Sequence, residues 1–207
     1  MLDHDSLADA VRALAVDDPD LAAVVDAFGV PPLWEREQEF ATLLLLILEQ
    51  QVSLASARAA FDRLAARLGG AVTPAGLLAL DDVALRADGF SRQKTRYARL
   101  LADAIDTGAL DLPALAGLDD TDARAALMAL PGIGPWTADV YLVMALRRAD
   151  AFPSGDLALQ VAAQEVKRLP VRPRPDDLDA VAERWRPHRA AAARILWLHY
   201  LGTRSRL

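Results

Sequence analysis

The residues best suited to chemistry lie in one short stretch and in a carboxylate beyond it. Leu130-Pro131-Gly132-Ile133-Gly134-Pro135-Trp136-Thr137-Ala138-Asp139 joins the end of one apolar helical run to the start of another. Gly132 and Gly134 permit positive φ and the close approach of a second backbone. Pro135 suits the first position of a helix, because the N–H it lacks would have had no intrahelical acceptor. The predicted product is a hairpin whose N–H groups point outward from a helix N-terminus, an arrangement that suits a phosphate. Asp156 follows Phe152-Pro153-Ser154-Gly155 and reads locally as the cap of a helix over Leu157–Leu169. At a helix N-terminus the dipole favours the ionised carboxylate. Glu49-Gln50-Gln51 stands at the end of an apolar run, where two glutamines suit a solvated connection. His188 and His199 are eleven residues apart, about 16 Å along one helix, too far to share a metal. No HExxH, zinc or P-loop pattern is present, so no catalytic metal or nucleotide is implied.

Helices must position these groups. The chain is 53% hydrophobic and rich in Ala and Leu, with glycine and proline falling mostly between apolar-periodic runs. An all-α fold is predicted. The first helices are expected near Ser6–Val16 and Pro19–Phe28, and Trp34 is expected to open a longer one that reaches about Gln51. Its second half is apolar nearly all round and belongs in a domain centre. Ser53 reads as the cap of Leu54–Leu68, closed by Gly69-Gly70. Thr73-Pro74 starts a short helix, Asp81 caps another, and Ser91 caps Arg92–Asp106. That helix carries Arg92, Lys94, Arg96 and Arg99, which fit a solvated basic face as readily as phosphate contact. Asp111–Asp120 reads as a loop, and Thr121 as the cap of Asp122–Ala129.

The motif Leu-Pro-Gly-Ile-Gly-x-x-Thr-Ala, with Asp156 about twenty residues after it and Glu49-Gln50-Gln51-Val52-Ser53 before it, resembles the helix-hairpin-helix DNA base-excision glycosylases, most nearly the 3-methyladenine DNA glycosylase II family. The likeness runs from about Asp18 to Gly202. It implies that Pro131, Gly132, Gly134 and Thr137 meet DNA, together with Gln50, Gln51 and Ser53. One glutamine, by position Gln51, would wedge into the duplex where a base has left, although relatives often have Leu there. Asp156 would be the catalytic carboxylate. It would stabilise positive charge developing at the sugar C1′ and orient water. Trp136 matches a pocket tryptophan of the family. Tyr141, Trp34 and His188 would complete the base pocket, with His188 standing where some relatives have a second tryptophan. Trp34, Tyr141 and Trp197 also read as core aromatics. Lyase-type relatives have a lysine at the position of Trp136. The resemblance further implies a structural Na⁺ or K⁺ held by the backbone carbonyls of Met128, Leu130 and Ile133.

The bulk properties fit this reading. The chain has 207 residues and no cysteine, so it lacks the ligands of the iron–sulfur cluster found in endonuclease III-type relatives. Its net charge is −6, but the balance is uneven: residues 1–166 carry −12 and residues 167–207 carry +6. Local field decides nucleic-acid binding more than the total does, although arginine-rich helices are also ordinary solvated faces. No signal peptide is visible, and Phe40–Leu48 is too short to span a bilayer. A soluble cytoplasmic protein is expected, with no membrane or obligatory protein partner.

The architecture implied is two helical lobes flanking a cleft, without the N-terminal β domain of some bacterial members. Residues 30–145 would form the central bundle with the hairpin. Residues 1–29 and 146–207 would form the second lobe, carrying Asp156. The function expected is monofunctional excision of alkylated bases, of the 3-methyladenine and 7-methylguanine type, from damaged double-stranded DNA by base flipping. Alternatives are a glycosylase for uracil, hypoxanthine or mismatched bases, or a non-catalytic helix-hairpin-helix DNA-binding module.

Overall fold

The computed structural model describes residues 1–204. Among them the regular structure is entirely helical. The chain divides into two compact units: Met1–Glu35 with Leu142–Leu207, and Arg36–Tyr141.

The first unit begins with α1 (His4–Asp17) and α2 (Pro19–Phe28). Asp3 and Ser6 form a capping box that starts α1 two residues before the predicted Ser6. Asp18 ends α1 and caps α2, its carboxylate accepting from Asp20 N and Leu21 N, with Pro19 in the first turn. This carboxylate is 4% exposed. It also accepts from the indole of Trp185 at 2.8 Å and from Lys167. Burial pushes the Asp18 carboxyl up, but the hydrogen bonds from Lys167, Trp185 and Leu21 outweigh it and hold the group below its ordinary value. The unit also holds α11 (Leu157–Val166), α12 (Pro175–Ala182), a 3-10 turn at Glu183–Trp185 and α13 (Arg189–Arg204). Helix α13 packs on α1, α2 and α11. Its run Ala190–Ala193 is fully buried, which lets neighbouring backbones come close.

The second unit contains α3 (Phe40–Glu49), α4 (Leu54–Arg67), α5 (Pro74–Leu78), α6 (Asp82–Ala87), α7 (Arg92–Asp106), α8 (Leu112–Leu115) and α9 (Asp120–Met128). The α10 helix (Pro135–Met144) supplies its last residues, and the boundary between the units follows Tyr141. Helix α3 is the apolar centre, with Leu43, Leu44, Leu46 and Ile47 0% exposed, and it packs on α4 and α7. The predicted caps at Ser53, Thr73, Asp81 and Ser91 all accept from a backbone N–H three residues on.

Three local expectations are corrected. The helix predicted to open at Trp34 opens at Phe40, because Trp34 is at φ 46° and residues 31–37 are irregular. The segment Asp111–Asp120 contains α8, capped by Asp111 and buried through Leu112 and Leu115. The first motif helix is capped by Asp119 rather than Thr121. Asp119 accepts from Asp122 N at 2.8 Å, two positions earlier in a run of competing capping residues.

The Asp18 cluster gives a stability prediction. In Asp18→Asn the ammonium of Lys167, a side chain only 10% exposed, loses the nearer of its two carboxylate partners and keeps Asp20 at 3.1 Å. This should cost about 2 kcal/mol at neutral pH. The folded carboxyl titrates below its unfolded value of 3.8, so its contribution is present above that pH and lost as pH falls through the folded value. Thermal melts should show the gap between wild type and variant narrowing in that acid window.

Candidate functional site

The hairpin is built as the glycines and prolines dictate. Leu130 N donates to Leu127 O at 3.2 Å, and Ile133 N to Leu130 O at 3.1 Å, which closes the turn. Gly134 O then accepts the first bond of α10 from Ala138 N at 3.0 Å. The two glycines have different tasks. Gly132 is at φ 99°, and a Cβ there would lie 2.3 Å from Cγ of Tyr97, so the hairpin rests directly on that ring. Gly134 faces open space, with nothing within 4 Å of a Cβ. It therefore leaves room at the N-terminus of α10 for an incoming group, where N–H groups extend beyond the helix's own ladder. Arg124 on α9 donates to both carboxylate oxygens of Asp139 on α10, at 2.6 and 3.3 Å, and ties the arms together.

The turn after α3 lies in the same unit. Gln50 is half-buried, and its Nε2 donates to Gly132 O at 2.8 Å and Thr137 Oγ1 at 2.9 Å. Gln51 is exposed at φ 58°. Ser53 is exposed and caps α4. Thr137, expected to meet DNA, is 1% exposed and faces Gln50, so its hydroxyl builds the hairpin from inside. Pro131 is exposed and Trp136 half-buried. Tyr141, expected in a base pocket, is instead 0% exposed, and its hydroxyl has no hydrogen-bond partner. Burial raises that phenol far above its ordinary pKa.

The carboxylate belongs to the first unit. Asp156 is half-buried and caps α11, with Oδ1 accepting from Leu159 N at 3.0 Å. The same oxygen accepts from the indole N–H of Trp197 at 3.2 Å. The loop before it is held by Gln160 Nε2 donating to Ser154 O at 2.9 Å, and by Ser154 Oγ donating to Asp179 at 2.9 Å. Trp34 meets Trp197 edge-on, with ring centroids 6.4 Å apart. Its place is set by Arg194, whose Nε donates to Leu33 O at 2.8 Å. The Arg194 guanidinium is 0% exposed and also donates to Ala190 O at 3.0 Å and Val143 O at 2.8 Å. Burial lowers its pKa to about 10, still charged at neutral pH. His188 is half-buried, its backbone N–H donating to Trp185 O at 2.7 Å. The sequence marks Trp197 only as a candidate ring and does not single out Arg194. The signal available for Arg194 was a lone cation inside the alanine-rich run of α13.

Side-chain pairing also revises the charge reading. Within the C-terminal surplus, Lys167 and Arg168 pair with Asp20, Arg186 and Arg189 with Asp150, and Arg204 with Glu165. On α7, Lys94 donates to Leu48 O and Arg99 to Asp82, while Arg92 and Arg96 are exposed. Among the described residues no cluster of three His, Cys, Asp or Glu is arranged to hold a metal, and no helix is long and apolar enough to cross a membrane.

Residues 44–187 match the family model of the HhH-GPD superfamily base excision DNA repair proteins. A probable bifunctional transcriptional activator/DNA repair enzyme AlkA of Mycobacterium tuberculosis is 38% identical over 95% of this chain, which spans 40% of that protein. A putative DNA-3-methyladenine glycosylase, YfjP of Bacillus subtilis, is 28% identical over 86% of this chain, which spans 64% of it. The chain thus spans less than two thirds of these curated relatives. The fold is similar to that of the Schizosaccharomyces pombe 3-methyladenine DNA glycosylase Mag1 in complex with abasic DNA. There the TM-score is 0.86 and identity 27%, covering 91% of this chain and 95% of that one.

The unequal glycines make a direct test of the hairpin. Gly132→Ala forces a positive φ and a clash with Tyr97, and should destabilise the fold by about 2 kcal/mol or more. Gly134→Ala should melt within a degree or two of wild type, since surface changes away from such features rarely exceed about 0.5 kcal/mol. Equal melting temperatures for the two variants would contradict this division of labour.

Proposed function

The chain belongs to the HhH-GPD superfamily of base excision DNA repair proteins, and on that basis we propose that it is a monofunctional DNA glycosylase that removes alkylated bases from duplex DNA. The observation that carries this reading is Asp156, a carboxylate fixed at the N-terminus of α11 by a backbone N–H and an indole N–H on one oxygen. Such a group is held ready for a cationic transition state, and it needs no rearrangement when the charge appears.

Each residue then has a task. The N-terminus of α10, kept open at Gly134, binds a backbone phosphate and sets the register of the duplex. Gln51, exposed on its left-handed turn, fills the space left by the flipped nucleotide. Trp136 offers a ring face to the base, and an alkylated purine is a cation that stacks favourably on it. The C1′–N bond breaks with its electron pair leaving on the base. Asp156 stabilises the sugar cation and orients a water, whose oxygen bonds to C1′ while its proton passes to the carboxylate or to solvent. The products are the free base and an abasic site. With tryptophan in place of the lysine of lyase-type relatives, no Schiff base forms and the strand stays intact.

The backbone carbonyls of Met128, Leu130 and Ile133 would hold a Na⁺ or K⁺, whose positive charge would favour a DNA phosphate nearby. Leu130 O accepts from Ile133 N and keeps a second lone pair for such an ion. The substrate is damaged double-stranded DNA, and the neutral alternatives, uracil and hypoxanthine, gain less from an electron-rich wall.

Asp156→Asn should lower single-turnover base release from methylated duplex by about a hundredfold or more, while duplex affinity stays the same or rises as a negative charge is removed. Release is followed by alkali cleavage of the abasic sites. Excision within a fewfold of wild type would remove Asp156 from the mechanism. Release from uracil or hypoxanthine duplexes but not methylated ones would move the substrate class.

Gly134→Asp places a carboxylate where the phosphate should sit, in space open enough for the side chain. It should fold normally, since Asp is a favoured helix cap, yet weaken binding to damaged and undamaged duplex alike by about tenfold. Unchanged affinity at low salt would mean that the hairpin is not the anchor.

A further inference from the structure

Three successive residues at the end of α3 are each tied to a different partner within Arg36–Tyr141. The Leu48 carbonyl accepts from Lys94 Nζ on α7. The Glu49 carboxylate, 8% exposed, receives the Arg36 guanidinium through bonds of 3.0 and 3.2 Å. Gln50 donates its amide to Gly132 O and Thr137 Oγ1. The ties stop there. Gln51 follows at φ 58° with its side chain exposed. A glutamine in this conformation is strained and persists where its surroundings over-determine it.

Both acceptors of the Gln50 amide belong to the hairpin. Gly132 O can only accept, so the NH₂ end of the amide must face it. Helix α7 supports the same assembly from below: Lys94 holds the end of α3, and Tyr97, three residues along the same face, lies under Gly132. Tyr97 is held in turn by Gln93, whose Nε2 donates to its hydroxyl at 2.8 Å. The turn that presents Gln51 and the turn that presents the helix N-terminus therefore share one side-chain bridge and one supporting helix.

We propose that Gln50 is a positioning residue that joins the Gln51 turn to the hairpin as one rigid body, so that gripping a phosphate fixes where Gln51 enters the duplex. This rests on the reading of the chain as a base-flipping glycosylase. Gln50 itself is not the wedge, since its amide is committed to the hairpin. The bridge makes filling of the gap depend on backbone binding. Hairpin contact alone governs affinity for intact duplex, whereas preference for a duplex with a missing base needs the bridge.

The full chain is tested on two duplexes, one intact and one carrying a tetrahydrofuran abasic analogue beside a 2-aminopurine. Gln50→Met removes the donor without adding charge. It should leave intact-duplex affinity within about twofold but reduce the preference for the abasic duplex by about tenfold, as loss of two hydrogen bonds implies. The 2-aminopurine signal should fall with it. Gln50→Glu should be worse, because a carboxylate then faces Gly132 O. Thr137→Val should reproduce the Met variant and Thr137→Ser should restore wild-type behaviour. The Gln50→Met, Thr137→Val pair should be non-additive, as residues sharing one interaction are. A Gln50→Met protein that keeps its abasic preference within twofold, or that weakens on both duplexes equally, overturns the proposal. Thermal melts of wild type and Thr137→Val, which exchange one hydroxyl for a methyl at nearly equal volume, separate loss of the bridge from loss of the fold. Base release is read separately. If wild type releases no methylated base but Gln50→Met still loses abasic preference, the glycosylase reading fails and the coupling stands.

Discussion

A guanidinium buried without a carboxylate is costly unless its donors are satisfied, and Arg194 meets that demand with backbone alone. Its bonds to Leu33 O, Val143 O and Ala190 O fasten three separate segments of the first unit to one planar group. Holding the Leu33 carbonyl has a direct consequence. The chain after it turns through Trp34 at φ 46° and starts its helix only at Phe40. Trp34 is thereby set edge-on to Trp197, and Trp197 donates to Asp156. The indole and the helix N-terminus fix that carboxylate in position.

Helix N-termini are used twice, to different ends. At α11 the positive end of the helix is closed by the protein's own Asp156. At α10 the space beside Gly134 is open, and proline in the first turn has removed an N–H with no use there. The same local physics thus yields an occupied cap in one place and an open helix N-terminus in the other. What distinguishes them is a side chain of one residue, aspartate against glycine.

Net charge is a poor guide to how this protein meets a polyanion. Five of the ten Lys and Arg after residue 166 form ion pairs with Asp20, Asp150 and Glu165. Lys94 and Arg99, on the helix that supports the hairpin, act on Leu48 O, Leu80 O and Asp82. Oriented backbone dipoles add a field that is short-ranged and depends on geometry more than on ionic content.

Contiguous residues set most of the helices, with the caps at Ser53, Ser91 and Asp156, and the glycine–proline turn between α9 and α10, but not α8 or the start of α3. They also carry the family motif. These features are written in contiguous residues, through capping hydroxyls and carboxylates, fixed φ at proline and free φ at glycine. Even there, Asp119 rather than Thr121 took the cap, because adjacent residues offered nearly equal oxygens. Tertiary structure alone decided which side chains were already committed. Gln50 finds Gly132 and Thr137 across 82 and 87 positions, and Trp197 finds Asp156 across 41. No local pattern encodes such partners, because a buried donor takes whichever acceptor the packed chain brings within reach.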